Sequence, residues 1–174
     1  MSAHRAGHGP SGARAGGGAS IEARSDTSGR VAMIESDALE ALVSDRRVIR
    51  SGPKIVAIRD NAVFIRRVSA HHGSFGHMVG TWPASDFAGL LAYLIKEGSR
   101  LGGSTGPYML RAMGKEGFIL SSDVQARLQA EGVIDGQASS ARAMRAVQAA
   151  FNTWAAESGQ SLTVISRVLA QSIG

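Results

Sequence analysis

Apolar positions recur at helical spacing along most of the chain, and the polar breaks between them lay out a series of helices. From Ala38, the residues Leu39, Leu42 and Val43 predict a short helix followed by a polar corner, Ser44 to Arg47. Gly52-Pro53 then places proline at a first helical position, where its missing N–H is tolerated, and Ile55, Ile58, Ala62, Ile65 and Val68 mark a buried stripe ending at His71-His72-Gly73. Residues 74–84, with Gly76, Gly80 and Pro83, read as a loop or distorted turn. Ser85 suits the N-cap of a helix carrying Phe87, Leu90, Leu91, Leu94 and Ile95, which stops at Gly98. A glycine-rich turn, Leu101 to Gly106, leads into a short helix, Pro107 to Met113, and Ser121 or Ser122 caps the next, Asp123 to Ala130. Ser140 to Ala156 and Leu162 to Ile173 read as longer amphipathic helices with Met144, Val147, Phe151, Trp154, Ile165 and Leu169 inward. No alternating strand emerges, although Phe118-Ile119-Leu120 can be extended, so the fold class is all-α.

The pattern is absent from residues 1–30, which are rich in Gly, Ser, Ala and Arg and nearly empty of large apolar side chains. Ordering them would bury little surface to offset the lost chain entropy, so they are expected to be a disordered tail. Residues 31–174 are expected to form one domain, since 174 residues fit a single core and 44% of them are hydrophobic.

Charge changes the picture. The formal net charge is +5 and the sequence pI is about 10.4, a balance that favours polyanionic partners. Four Arg and two acidic residues lie in the tail, which leaves 15 basic and 12 acidic side chains beyond it. The excess is therefore better judged by clustering: Arg46, Arg47, Arg50, Lys54, Arg59, Arg66 and Arg67 face only Asp45 and Asp60 in the same stretch. That cluster is either a solvated helix face or a surface for phosphates. There is no cysteine, which excludes disulfides, a thiol nucleophile and cysteine-ligated metals. No cofactor or metal site is expected, His71, His72 and His77 having neither cysteine nor a nearby carboxylate to complete one. No apolar run approaches the roughly 18 residues of a membrane span, so the chain is expected to avoid the membrane.

Two features carry candidate chemistry. A short glycine turn between helices exposes several backbone N–H groups beside a helix amino terminus, an arrangement that can hold a phosphate without reading a base. Leu101-Gly102-Gly103-Ser104-Thr105-Gly106-Pro107-Tyr108 has that form, and is either such a clamp or an ordinary helix–helix turn. Asp123 follows it after one short helix. Its carboxylate can stabilise the positive charge that develops on a sugar as a glycosidic bond breaks and can orient water, or it is simply an acidic residue in a first helical turn. Trp82 before Pro83 either packs into the core or stacks on an extruded base.

The run Leu101 to Gly114 (LGGSTGPYMLRAMG) resembles a block of the type I DNA-3-methyladenine glycosylases, within the helix-hairpin-helix DNA glycosylase superfamily. Arg47 to Ala62 (RVIRSGPKIVAIRDNA) is similar to that family's earlier block, and the two stand in the family's order; the resemblance spans about residues 36–174. It implies a helix-hairpin-helix glycosylase-like helical domain acting in base-excision repair on double-stranded DNA. Members extrude an alkylated purine such as 3-methyladenine into a pocket and hydrolyse its N-glycosidic bond, extrusion being needed to reach the bond. By resemblance, Gly103, Ser104, Thr105, Gly106 and Tyr108 belong to the DNA-binding hairpin, Lys54 and Arg50 are further backbone contacts, and Asp123 takes the catalytic carboxylate position of the wider superfamily. The resemblance also implies a cytoplasmic, nucleoid-associated protein acting as a monomer. Two departures qualify the activity. Residues 1–35 do not match the amino-terminal half that recognises the base, so the domain is expected to be incomplete, and the cysteine-free chain lacks the structural zinc many members bind. The alternatives are a non-catalytic helix-hairpin-helix DNA-binding module and an inactive fragment.

Overall fold

A computed structural model describes residues 28–47 and 51–172 of the chain. Most of the expected tail, residues 1–27, lies outside the described residues, as do Arg50 and the expected helix end at Ile173. After a helical turn at residues 28–32, the elements are α1 (Ser36–Ser44), α2 (Gly52–His72), α3 (Phe75–Thr81), a 3-10 turn (Ala84–Asp86), α4 (Phe87–Glu97), α5 (Thr105–Ala112), α6 (Ser122–Ala130), α7 (Ala141–Ser158) and α8 (Leu162–Gln171). The described residues are helical without a strand, and none of their helices is long and apolar enough to cross a membrane.

Serine sets the starts of four of these helices. The hydroxyls of Ser74, Ser121, Ser140 and Ser161 each accept from the backbone N–H three residues on, those of His77, Val124, Ala143 and Val164. Each bond satisfies an amide that the helix itself leaves without a partner, a contribution of about 1 kcal/mol. Ser140 and Ser161 therefore mark where the last two helices begin. At the start of α4 the expected Ser85 cap gives way to the 3-10 turn, with Asp86 as the residue before Phe87.

The core is centred on α4 and α7, which pack on each other with α5 beside α4 and α8 beside α7. Phe87, Leu90, Leu94, Leu110, Val147 and Phe151 are almost fully buried. Phe118 is gripped between Phe87, edge-on at 5.0 Å, and Phe151 at 4.6 Å between ring centres. Burying one such ring contributes roughly 1.5–3 kcal/mol. One polar side chain crosses this region: buried Gln148 accepts from Ala88 N–H at 2.8 Å and donates to the Ala84 carbonyl and to Asn152, tying α7 to the 3-10 turn.

The stripe on α2 differs from expectation. Its buried residues are Ile55, Ala57, Ala62, Phe64 and Val68, while Ile58 is 61% exposed and Ile65 half-buried. The helix is turned so that Phe64, the largest apolar side chain available, reaches Phe75 and Tyr93. Residues 74–84, expected as a loop, contain α3. Its Met78 and Val79 are buried against the core, Ser74 caps its start, and Lys115 donates to the Gly80 and Trp82 carbonyls at its end. Tertiary burial outweighs the helix-weakening effect of Gly76 and Gly80. Trp82 packs beside Tyr93 at 5.5 Å, and its indole N–H donates to Asp86, so its ring belongs to the fold.

Residues 115–121 form neither strand nor helix. The backbone of two of them, Gly117 and Ile119, is bonded by side chains one helical turn apart on α8. The Thr163 hydroxyl lies 3.2 Å from both the N–H and the carbonyl of Gly117, and the Ser166 hydroxyl accepts from Ile119 N–H at 3.1 Å. Glu116 in return accepts from Leu162 N–H at 2.8 Å, at the start of α8. Gly117 is required by proximity, since a Cβ there would sit 2.3 Å from the Phe87 ring.

Candidate nucleic-acid interface

The turn between α4 and α5 is held against α2 by one side chain. Asn61 accepts from the Ser99 N–H at 2.8 Å and donates to the Ser99 carbonyl at 2.9 Å. The next residue, Arg100, has φ 59°, the left-handed region that L side chains rarely adopt, and Gly103 has φ 60°. Thr105 N–H closes the turn on the Gly102 carbonyl at 3.3 Å. Gly106 is buried where a Cβ would lie 2.7 Å from the Leu101 carbonyl oxygen, so the start of α5 can approach the turn only without a side chain there.

Gly103 and Ser104 stand exposed at the tip, and their amides donate to no group among the described residues. The Ser104 hydroxyl precedes α5 without capping it. Tyr108 is 57% exposed one turn further on. Between this turn and α2 runs a groove of about 590 Å³, with Lys54, Ile58 and Asn61 on one side and Arg100, Gly102 and Thr105 on the other. Lys54 and Gly102 of the glycine turn, 48 residues apart in sequence, thus line one surface, and no acidic residue lines it with them.

The basic cluster divides into paired and unpaired groups. Arg47 is bound by Asp45, Arg59 by Asp60 and Arg67 by Glu97 from α4. The side-chain and backbone bonds from Arg47 hold the Asp45 carboxyl below its ordinary value. Among the described residues of the cluster, Arg46, Lys54 and Arg66 have no carboxylate partner, and outside it neither does Arg100. Lys54 and Arg100 both lie at the groove. A phosphate there would meet two cations and the amino terminus of α5, each favourable to an anion.

Asp123 lies elsewhere. It sits exposed in the first turn of α6, with the Ser122 hydroxyl 3.3 Å from its carboxylate, and it does not line the groove. Its helix packs mainly on α8. His71, His72 and His77 are exposed, and among the described residues no three His, Asp or Glu side chains gather closely enough for a metal ion.

Two groups at the groove were not singled out by the sequence pattern. Asn61 had a local signal, a polar residue in helical register with buried Ala57, Phe64 and Val68, where an amide is placed only if it is hydrogen-bonded. Arg100 had none, because its part depends on a backbone angle that arginine does not advertise. Compared with protein-family models, with curated proteins and with solved structures, the chain matches none.

Proposed function

We propose that the chain is a glycosylase-like helical domain that binds the sugar–phosphate backbone of double-stranded DNA through the α4–α5 turn and α2. The observation that carries this reading is the groove in which Lys54 and Thr105 lie together, with unpaired positive charge and no carboxylate. Backbone binding of this kind is electrostatic and sequence-independent, so affinity falls steeply with salt. The chain is titrated against a labelled mixed-sequence duplex at several salt concentrations. Marked salt dependence is expected, with a slope lowered by about one in Lys54→Ala. No binding at low salt, or an unchanged slope in that variant, overturns the reading.

A second reading adds catalysis: hydrolysis of the N-glycosidic bond of an alkylated purine such as 3-methyladenine, with Asp123 stabilising the developing positive charge. This reading rests on the resemblance alone, since the Asp123 carboxylate is exposed in the first turn of α6 with one neutral neighbour and lies away from the groove. A cationic alkylated base is already a good leaving group, so one carboxylate gives at most a slow excision, expected to be very low or undetectable. Release of free base from alkylated DNA is the measurement.

A further inference from the structure

We infer that Arg100 is a further contact to the DNA backbone, held at the groove by its left-handed conformation and by the Asn61 latch on the residue before it. This rests on the DNA-binding reading above and extends it to a residue that neither charge clustering nor the glycine motif points to. Three observations meet at this position. Arg100 lines the groove opposite Lys54, so one strand passing between them would have a cation on each side. Arg100 has no carboxylate partner among the described residues, whereas Arg47, Arg59 and Arg67 all do. Its φ of 59° is the only positive value at a non-glycine residue among those described. Glycine would meet that backbone requirement with less strain, as it does at Gly103. A strained conformation persists where surrounding structure over-determines it, and the two Asn61 bonds to Ser99 supply that constraint immediately upstream.

The lining also selects the occupant. Apolar contact comes from Ile58, Ala57 and Leu101, none of them aromatic, so the groove offers no platform on which an unpaired base can stack. Ile58, 61% exposed, instead provides an aliphatic wall for a deoxyribose between phosphates held by Lys54 and Arg100. Backbone contact of this kind fits a duplex, whose bases stay stacked while its phosphates are read from outside.

The test measures binding of the full chain to a fluorescein-labelled mixed-sequence duplex between 50 and 200 mM salt, with about these limits taken from the range over which counterion release is pronounced. Arg100→Gly keeps the backbone angle, so its melting temperature stays at or above that of the native protein. Its salt slope falls by about one, equivalent to roughly a three- to fourfold smaller loss of affinity across that range. Arg100→Lys restores the native slope. If the native protein binds and Lys54→Ala lowers the slope while Arg100→Gly does not, this inference fails and the DNA-binding reading survives. If the native protein does not bind the duplex, the DNA-binding reading itself fails. A slope that Arg100→Lys does not restore, or tighter native binding to a single strand of the same length, overturns the assignment of Arg100 to duplex phosphate.

Discussion

The Asn61 carboxamide and the Ser99 peptide form a reciprocal pair across 38 residues of chain, one donor and one acceptor on each side. A pair of this kind fixes both separation and orientation, since neither bond can shift without straining the other. The glycine turn therefore takes its position from α2, the helix that also carries Lys54.

Asn61→Ala removes both bonds and leaves a partly buried N–H and carbonyl to find water. Loss of about 1–3 kcal/mol is expected in chemical denaturation. Amide hydrogen exchange at Ser99 should accelerate more than at Leu94 in the core; equal acceleration at both would mean that Asn61 supports the whole fold rather than the turn.

Gly117→Ala places a methyl group 2.3–2.6 Å from three carbons of the Phe87 ring. The ring lies in the middle of the aromatic cluster and has little room to retreat. Destabilisation of about 1–3 kcal/mol is expected, without change in the DNA salt slope. A native-like melting temperature would show that residues 115–121 can move away from α4 freely.

Arg67 is bound to Glu97 and lies 5.8 Å over the Phe64 ring, away from the groove. Arg67→Gln should cost less than about 1 kcal/mol, as expected for an exposed ion pair. Its DNA salt slope should match the native one. An effect as large as that of Lys54→Ala would extend the binding surface along α2 and displace the groove as its centre.

Asp123→Asn preserves shape and removes charge. If the chain excises alkylated purines, release of 3-methyladenine is abolished in this variant while duplex affinity holds, because Asp123 does not line the groove. Excision that survives the substitution removes Asp123 from the mechanism.

The helices were legible in the sequence where a cap and apolar spacing agree, as at Ser121, and by apolar spacing in the last two, to which the structure adds the Ser140 and Ser161 caps. They were obscured where long-range packing decides. α3 reads locally as a loop because Gly76 and Gly80 weaken it, yet burial of Met78 and Val79 holds it. On α2 the periodic stripe could be drawn through Ile58 or through Phe64, and only contact with Phe75 and Tyr93 selects the second. At the candidate site, Lys54 and the glycine turn stand out by residue type. Arg100 and Asn61 do not, since one depends on a dihedral angle and the other on a partner 38 residues away.

The backbone of residues 115–121 has a consequence for the order in which the molecule takes shape. Gly117 and Ile119 are satisfied by Thr163 and Ser166, which leave the ribosome 46 and 47 residues later. Until then, the N–H groups of Gly117 and Ile119 lack these partners, while the Gly117 carbonyl can already accept from Arg111. Elongation thus orders this part of the fold: the two amides that flank Phe118 stay open to water until α8 has emerged.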